Sequence, residues 1–492
     1  MRSPSSSADV PRASRPPSSS RSGSLPRAGG TPAVRSGHGY ARSSALLFAL
    51  VFASAAALLY VDFGRKAEDT IPNSEVLDIM YFHGGYGVEF IEEAGRGFEA
   101  LHPGVRVNIW ASPRISEKIR LRLLSGDPPD IAFPGWGLDV DRVIEAGFLY
   151  DLQPDLDKPS DGGTGPWEKD FYPGILEQFR YGRRTYGLPF FYSTSAFWYN
   201  KDLFEKLGLK PPATWEEFTA LCARLKAAGV APLTLQGRYM DYLGEIFLSL
   251  LDKTAEPGFV ESANLLKPGS WSRPEVIEVA RRIQELFRLE YFQKGCLGMS
   301  HTEAQMEFLQ GRAAMVWCGT WFSSEMHDRI PKDFHYSCFG TPQVAGGKGD
   351  PTLLMVASEY AYVCAGSKHP ALAVEFLKFL CRPQIAAKFV QGREALAGIR
   401  EANESAPDSL KPIVELLRRA RSFRAPAARG NPYPSWQSTF SSSLTDLVTR
   451  PAGGEKFLLT PEEFAGQLES KAEELRVEKA EKDRTTELKI EN

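Results

Sequence analysis

Short apolar runs alternate with amphipathic segments along the chain from residue 76 onward. The run 76–82 predicts a strand, and Ile91, Ala94, Phe98 and Leu101 then recur at the spacing of a helix with one buried face. The same alternation continues with a strand at 105–109, a helix at 115–124, a strand at 131–133 and a helix that ends near Gly147. Strands that alternate with helices predict an α/β fold with a mostly parallel sheet that is covered on both faces.

A longer apolar run, residues 187–199, leads directly into a helix start. Its aromatic and β-branched residues predict a strand, and Asn200 is placed to cap the helix that begins at Lys201. Further on, Thr214 and Glu217 have the Thr-x-x-Glu spacing of a capping box. The segment is therefore expected to run strand, helix, turn, helix.

This segment resembles the part of the family 1 extracellular solute-binding proteins, the maltose-binding-protein-like group, in which the chain passes from the first lobe to the second. The resemblance lies in three phrases, YGLP at 186–189, YNKDLF at 199–204 and PPATWEEF at 211–218. Other phrases similar to that family occur in the same order, and they are FEALHPGVRV at 98–107, SGDPPD at 125–130, EAGFLYDL at 145–152, FLQGRAAM at 308–315, GTW at 319–321 and ALAVEFLKFL at 371–380. The chain is identified as a member of this family on the ordered set rather than on one motif.

The resemblance implies an α/β, two-lobed periplasmic-binding-protein fold of the type II kind. A hinge in such a fold lets an interlobe cleft close over a ligand. The first crossing between the lobes is expected near 192–196. Lobe 1 is then expected over residues 76–193 together with 344–395, and lobe 2 over residues 195–342 together with 396–492.

The same resemblance implies which side chains line the cleft. Trp321, in the GTW phrase, matches the position of a tryptophan that stacks on a bound sugar, and Tyr239 matches an aromatic residue of the second lobe. Where the maltose binder has a sugar-contacting glutamate, this chain has Ser193, with Tyr192 beside it, so the identity of the sugar stays open. The other expected contacts lie after the first strand, after residue 130 and in the phrase NPYPSW near the C-terminus, and they are His83, Tyr86, Trp136, Asp139, Tyr433 and Trp436.

The first 62 residues differ in character from the rest of the chain. Residues 1–43 are rich in Ser, Pro, Gly and Arg, which predicts a disordered tail. An uncharged apolar run at 45–61 predicts a transmembrane signal anchor or a signal peptide over residues 44–62, and we prefer the anchor. The basic tail is expected in the cytoplasm. The remainder is expected on the periplasmic side of the bacterial cytoplasmic membrane, or in the periplasm or outside the cell after cleavage.

Charge and motifs restrict the function. The tail carries seven arginines and one aspartate, so the remaining residues hold a net charge of about −9, which disfavours nucleic acid as a partner. Six widely spaced cysteines form no Cys-x-x-Cys pair, and neither a metal nor a cofactor is expected. The sequence has no Gly-x-Ser-x-Gly, His-Glu-x-x-His or Walker glycine loop, so we do not expect an enzyme.

The sequence therefore favours a carbohydrate-binding receptor that hands a sugar or oligosaccharide to the permease subunits of an ABC importer and acts as a monomer. Two alternatives stay open. One is an exported carbohydrate-active hydrolase, and the other is a solute sensor that signals to a membrane partner.

Overall fold

The structure is a computed structural model that describes residues 75–490 apart from 136, 162, 173–174, 426–431, 434 and 452–453. The predicted tail and apolar segment at 1–62 and the candidate residue Trp136 lie outside the described residues.

The first part of the described chain alternates strands and helices as the sequence predicts. Its strands are β1 (Glu75–Phe82), β2 (Val105–Ser112), β3 (Ile131–Phe133), β4 (Arg180–Tyr181), β5 (Arg184–Thr185) and β6 (Leu188–Asn200). Its helices are α1 (Glu89–Leu101), α2 (Ile115–Ser125), α3 (Val140–Glu145) and α4 (Gln153–Leu156). Leu101 is 56% exposed, so its predicted place on the buried face of α1 is wrong. The helix ends there, and His102 packs on Phe98 instead, with ring centroids 4.0 Å apart.

The middle part carries seven of the described helices. Its elements are α5 (Lys201–Leu207), α6 (Trp215–Ala227), β7 (Ala231–Thr234), α7 (Asp241–Thr254), α8 (Phe259–Asn264), α9 (Pro274–Arg288), α10 (His301–Leu309), β8 (Ala313–Gly319), α11 (Trp321–Met326) and β9 (Tyr336–Phe339). The predicted helix starts are confirmed. The Asn200 side chain accepts a hydrogen bond from the Leu203 N–H at 2.9 Å, and Thr214 and Glu217 form both bonds of the capping box.

The last part returns to the sheet and then leaves it. Its elements are β10 (Leu354–Val363), α12 (Pro370–Leu380), α13 (Pro383–Arg393), β11 (Leu396–Ala397), α14 (Lys411–Arg419), β12 (Phe423–Arg424), α15 (Trp436–Val448) and α16 (Pro461–Ile490). Phe464 and Leu468 bury the first turns of α16 in the same core as α7, α9 and α15. Of the helices that the structure describes, none is both long enough and apolar enough to cross a lipid bilayer.

Ten strands of the described chain form one sheet in the order β2-β1-β3-β10-β6-β8-β7, with β9 and β11 also on β6 and β12 on β10. The outer pairs β1–β2, β1–β3 and β7–β8 are parallel, whereas β10 runs antiparallel to β3 and β6, and β6 runs antiparallel to β8. The prediction of a mostly parallel sheet is thus wrong at the centre. β10 enters the sheet from a distant part of the chain, and local alternation of strands and helices could not show its direction.

β6 changes partners halfway along its length. Its first half, up to Thr194, pairs with β10 and β11, and its second half, from Ser195, pairs with β8 and β9. Because successive side chains of a strand point to opposite faces, Trp198 joins the core around α1, α12 and α13, and Phe197 joins the core around α7 and α9. The lobe boundaries given above stay predictions.

Candidate functional site

A cavity of about 550 Å³ lies where the middle of β6 meets the loop after β1 and the start of α11. That volume is within the range of small-molecule sites in proteins. Residues from seven parts of the chain line it, and they are Phe82, Gly84, Gly85, Tyr86, Phe191, Ser193, Tyr239, Asp241, Tyr242, Glu245, His301, Trp321, Glu325, Ala357, Glu359 and Gln437. The cavity therefore takes side chains from both sides of the point at which β6 changes partners.

Aromatic rings form much of the cavity wall. The ring of Tyr86 packs against those of Phe191 and Phe389, with centroid distances of 5.2 and 5.4 Å. The indole of Trp321 lies directly against Gly319, at the end of β8, where a Cβ atom would collide with the ring. Glycine at 319 thus leaves the space that this ring position requires. Flat rings at a cavity wall suit the apolar faces of sugar rings.

A hydrogen-bonded chain holds one carboxylate at the cavity. The Tyr242 hydroxyl lies 2.7 Å from Nδ1 of His301, and Nε2 of His301 lies 2.5 Å from Oε2 of Glu325. The amide of the buried Gln305 donates a second hydrogen bond to the same Glu325 oxygen at 3.0 Å. A neutral imidazole satisfies the chain when Tyr242 donates to Nδ1 and Nε2–H donates to Glu325. Glu325 is thereby fixed in position by His301 and Gln305.

Two further carboxylates lie against the floor of the cavity. Glu245 accepts a hydrogen bond from the Trp317 indole N–H at 2.9 Å, and burial raises the pKa of this carboxyl. Glu359 faces the cavity from β10, where the register with β6 shifts between Glu359 and Tyr360 so that Phe190 of β6 has no partner residue on β10. Burial raises the pKa of the Glu359 carboxyl to about 7.

The two sides of the cavity touch at one edge. The Ser324 hydroxyl donates a hydrogen bond to the Gly85 carbonyl at 3.4 Å, and a Cβ atom on Gly85 would lie 3.1 Å from Cγ of Glu325. The loop after β1 and the first turns of α11 are therefore in contact across the cavity.

Four of the residues expected from the sequence come together here. Tyr86, Ser193, Tyr239 and Trp321 all line the cavity. Tyr239 stands at its rim with 51% of its surface exposed, whereas Ser193 is buried and donates a hydrogen bond to the Ala357 carbonyl at 3.2 Å.

Three others lie elsewhere. His83 is exposed, and its backbone N–H donates to the Ser112 carbonyl at 3.2 Å. Asp139 caps α3, accepting a hydrogen bond from the Arg142 N–H, and forms an ion pair with the Arg142 side chain at 3.1 Å. Tyr192 is fully buried and packs on Tyr172 with ring centroids 5.1 Å apart. None of the three is among the side chains that line the cavity.

Near the C-terminus, the start of α15 reaches the cavity through a residue that the sequence did not indicate. Trp436 is buried against Trp271, with ring centroids 5.1 Å apart, and Tyr433 packs against the same core. Gln437, the next residue after Trp436, lines the cavity.

Sequence reasoning missed most of the polar lining. Tyr242 and Glu245 follow Tyr239 along α7, and Glu325 lies one turn after Trp321, so helical spacing from the expected aromatic residues could have indicated them. Glu359 could have been noticed as a lone charge in the apolar run of β10. His301 carries no such signal, since it follows Ser300 in an ordinary capping box.

Within the described ranges, no three His, Cys, Asp or Glu side chains are grouped so that they could hold a metal ion. All six cysteines are buried free thiols. The site is thus built from aromatic rings, carboxylates, one imidazole and amides.

Comparison with known proteins identifies relatives along most of the chain. The profile of the bacterial extracellular solute-binding proteins matches residues 84–387, which is more than half of the chain. The multiple sugar-binding protein of Streptococcus mutans is 27% identical over 375 residues, covering 73% of this chain and 83% of that protein. The diacetylchitobiose binding protein NgcE of Streptomyces coelicolor is 24% identical over 345 residues, covering 67% and 72%.

The apo form of RafE from Streptococcus pneumoniae is similar in structure, with a TM-score of 0.67 at 22% sequence identity over 82% of this chain and 99% of RafE. This similarity confirms the two-lobed α/β fold expected from the sequence. With the profile match over residues 84–387, it follows that the chain belongs to the family of bacterial extracellular solute-binding proteins.

Proposed function

We propose that this protein is an extracytoplasmic receptor that captures a sugar or oligosaccharide in the cavity and delivers it to an ABC importer. The observation that carries the proposal is the lining itself, in which aromatic rings stand beside carboxylates and an amide. Rings contact the C–H faces of a sugar, and the polar groups bond to its hydroxyls. Each well-placed aromatic contact contributes on the order of 1 kcal/mol beyond burial.

Relatives support both halves of the proposal. The Streptococcus mutans relative is a multiple sugar-binding protein, and NgcE binds diacetylchitobiose. RafE has been solved in complex with raffinose. A relative in Pyrococcus horikoshii, 25% identical over 307 residues, is an ABC transporter extracellular-binding protein. Family membership thus favours transport, and the cavity favours a carbohydrate as its cargo.

Within this proposal Trp321, Tyr86 and Tyr239 supply the stacking surfaces, and Ser193 lies on the floor between the two sides. Three or four such aromatic contacts with hydrogen bonds fit micromolar affinity, about −8 kcal/mol. We further propose that the receptor works as a monomer on the periplasmic side of the cytoplasmic membrane, held there by residues 44–62. Fractionation of cells that express the full chain tests the anchor, since release into the soluble periplasmic fraction would contradict it.

The decisive experiment combines binding with product analysis. Purified full-length protein is incubated with a panel of mono- and oligosaccharides, thermal unfolding is recorded, and the sugars are then examined by chromatography. A receptor raises its unfolding temperature with at least one sugar and returns that sugar unchanged. Hydrolysed sugar would refute the receptor and favour the exported hydrolase, and the absence of any thermal shift across the panel would refute carbohydrate binding.

A further inference from the structure

The charged side chains that line the cavity are almost all acidic. Asp241, Glu245, Glu325 and Glu359 face it, and among the described residues of its lining there is no lysine or arginine. His301 is the single basic group in that set, and its ring nitrogens already contact Tyr242 and Glu325. The described lining therefore has more acidic than basic groups, which favours a negative potential in the cavity.

Other side chains hold three of these carboxylates. Glu245 accepts from the Trp317 indole, and Asp241 accepts from the Ser441 hydroxyl at 2.6 Å. Glu325 accepts from His301 and Gln305. These bonds orient the three carboxylates, and none of them comes from a lysine or an arginine.

Glu359 differs from the other three because no described side chain binds its carboxylate. No hydrogen bond or ion pair to this group occurs among the residues that the structure describes. Arg393, the nearby guanidinium beside Tyr81, forms its ion pair with Glu89 instead. Tyr86 and Phe191, which surround the same part of the cavity, offer apolar ring surface. A carboxylate that faces a cavity without a partner is free to bind a group on the ligand.

We infer that the ligand is an amino sugar or an amino-oligosaccharide, and that its protonated amino group, an ammonium, binds Glu359. This inference rests on the proposed function. An ammonium supplies the counter-charge that the lining lacks, and charged donors form stronger hydrogen bonds to carboxylates than neutral donors do. The aromatic walls strengthen the preference, since ring faces attract cations.

The same arrangement acts against other classes of sugar. A neutral sugar can bond to Glu359 only through its hydroxyls, so it lacks the stronger charge-assisted bond that an ammonium forms with a carboxylate. A uronic acid or a sugar phosphate would face four carboxylates, and this repulsion excludes anionic ligands. Burial already holds the pKa of Glu359 near neutrality, at about 7, so an arriving ammonium ionises this group fully at little expense.

Matched sugars test the inference. Isothermal titration calorimetry of the purified full-length protein at neutral pH compares glucose, glucosamine and glucuronic acid, and the corresponding forms of galactose, as monosaccharides and as linked disaccharides. We expect the affinity for the amino sugar of one series to exceed the affinity for its neutral counterpart by about tenfold or more. The acidic sugar of that series should not bind.

The outcomes separate the two proposals. If a neutral sugar binds as tightly as its amino form, or an acidic one binds more tightly, the inference is overturned and the carbohydrate receptor stands. If no member of either series binds while another neutral sugar of the thermal-unfolding panel does, the inference is overturned and the carbohydrate receptor stands; if no sugar of that panel binds, both proposals fall.

A variant of Glu359 tests whether the ammonium of the ligand binds this residue. Glu359→Gln keeps the shape of the side chain and removes its charge, so the preference for the amino form should fall by about tenfold while the affinity for the neutral form stays within about twofold. The control is Glu474→Gln, an exposed carboxylate on α16 outside the cavity lining, which should leave both affinities unchanged. Circular dichroism and thermal unfolding verify that both variants are folded. A preference retained in Glu359→Gln would overturn the assignment of the ammonium to Glu359.

Discussion

Replacement of Glu359 by glutamine is expected to stabilise the protein at alkaline pH and to have no such effect at acid pH. In the folded protein, burial raises the pKa of this carboxyl from its ordinary value of 4.5 to about 7. Below the unfolded value, both states are protonated and the group does not affect the free energy of unfolding. As the pH rises through the folded value, the native protein must ionise a buried carboxyl that the unfolded chain ionises freely, and stability is lost.

The size of the effect follows from the shift. One pKa unit corresponds to 1.36 kcal/mol, so a rise from 4.5 to about 7 corresponds to about 3 kcal/mol. Glutamine has nearly the same shape and cannot ionise. The Glu359→Gln variant should therefore exceed the wild type in free energy of unfolding by about 3 kcal/mol at about pH 8, and by less than about 0.5 kcal/mol at about pH 4.5.

Urea denaturation followed by tryptophan fluorescence measures this difference. Wild type, Glu359→Gln and the exposed control Glu474→Gln are unfolded in parallel at both pH values without ligand. Comparison of the variant with the wild type at each pH cancels the titration of all other groups. The reasoning is refuted if Glu359→Gln is no more stable than wild type at the higher pH, or if its gain is the same at both pH values.

Three other substitutions test the site and its support. Trp321→Ala should weaken ligand binding by about 1–3 kcal/mol in calorimetry because it removes a stacking surface. The control Trp110→Ala removes an exposed tryptophan on β2 and should leave affinity unchanged. Equal losses of affinity in both variants would contradict a role for Trp321. Gly319→Ala should also lower affinity, since the new methyl group displaces the Trp321 indole, and an affinity equal to that of wild type would show that this ring position is not needed. Arg424→Leu leaves the buried Asp252 carboxylate without its partner at 2.8 Å, so the free energy of unfolding in urea should fall by about 3–5 kcal/mol. The double variant Arg424→Leu/Asp252→Leu should recover most of that loss, and a single variant as stable as wild type would contradict it.

The elements that depend on neighbours in the sequence could be predicted. The strand β6, the Asn200 cap and the Thr214–Glu217 capping box all lie where the pattern places them, since each depends on residues a few positions apart. The exposure of Leu101 could not be predicted from spacing alone. Its spacing is right for the buried face of α1, but the end of the helix and the ring of His102 decide its exposure.

The site was predictable in its aromatic half more than in its polar half. Trp321 and Tyr239 follow from phrases similar to those of the family, whereas Glu359 and His301 reach the cavity from distant segments. No local pattern in the sequence predicts that residues from such distant segments line the same cavity. Trp436 illustrates the remaining difficulty. The start of α15 does approach the cavity, but the ring of Trp436 packs in the core against Trp271, and the neighbouring Gln437 lines the cavity instead.

The contact between Ser324 and Gly85 bears on the speed of ligand entry. A solute that approaches this edge of the cavity must first part α11 from the loop after β1, and the bond to be broken is one hydroxyl–carbonyl contact of 3.4 Å at an exposed position. A hydrogen bond of this kind contributes about 1 kcal/mol or less, so its rupture slows association by about fivefold at most. We therefore expect association of the ligand to be fast. Its dissociation rate then depends on its contacts with the aromatic rings and carboxylates, and so on the chemistry of the ligand.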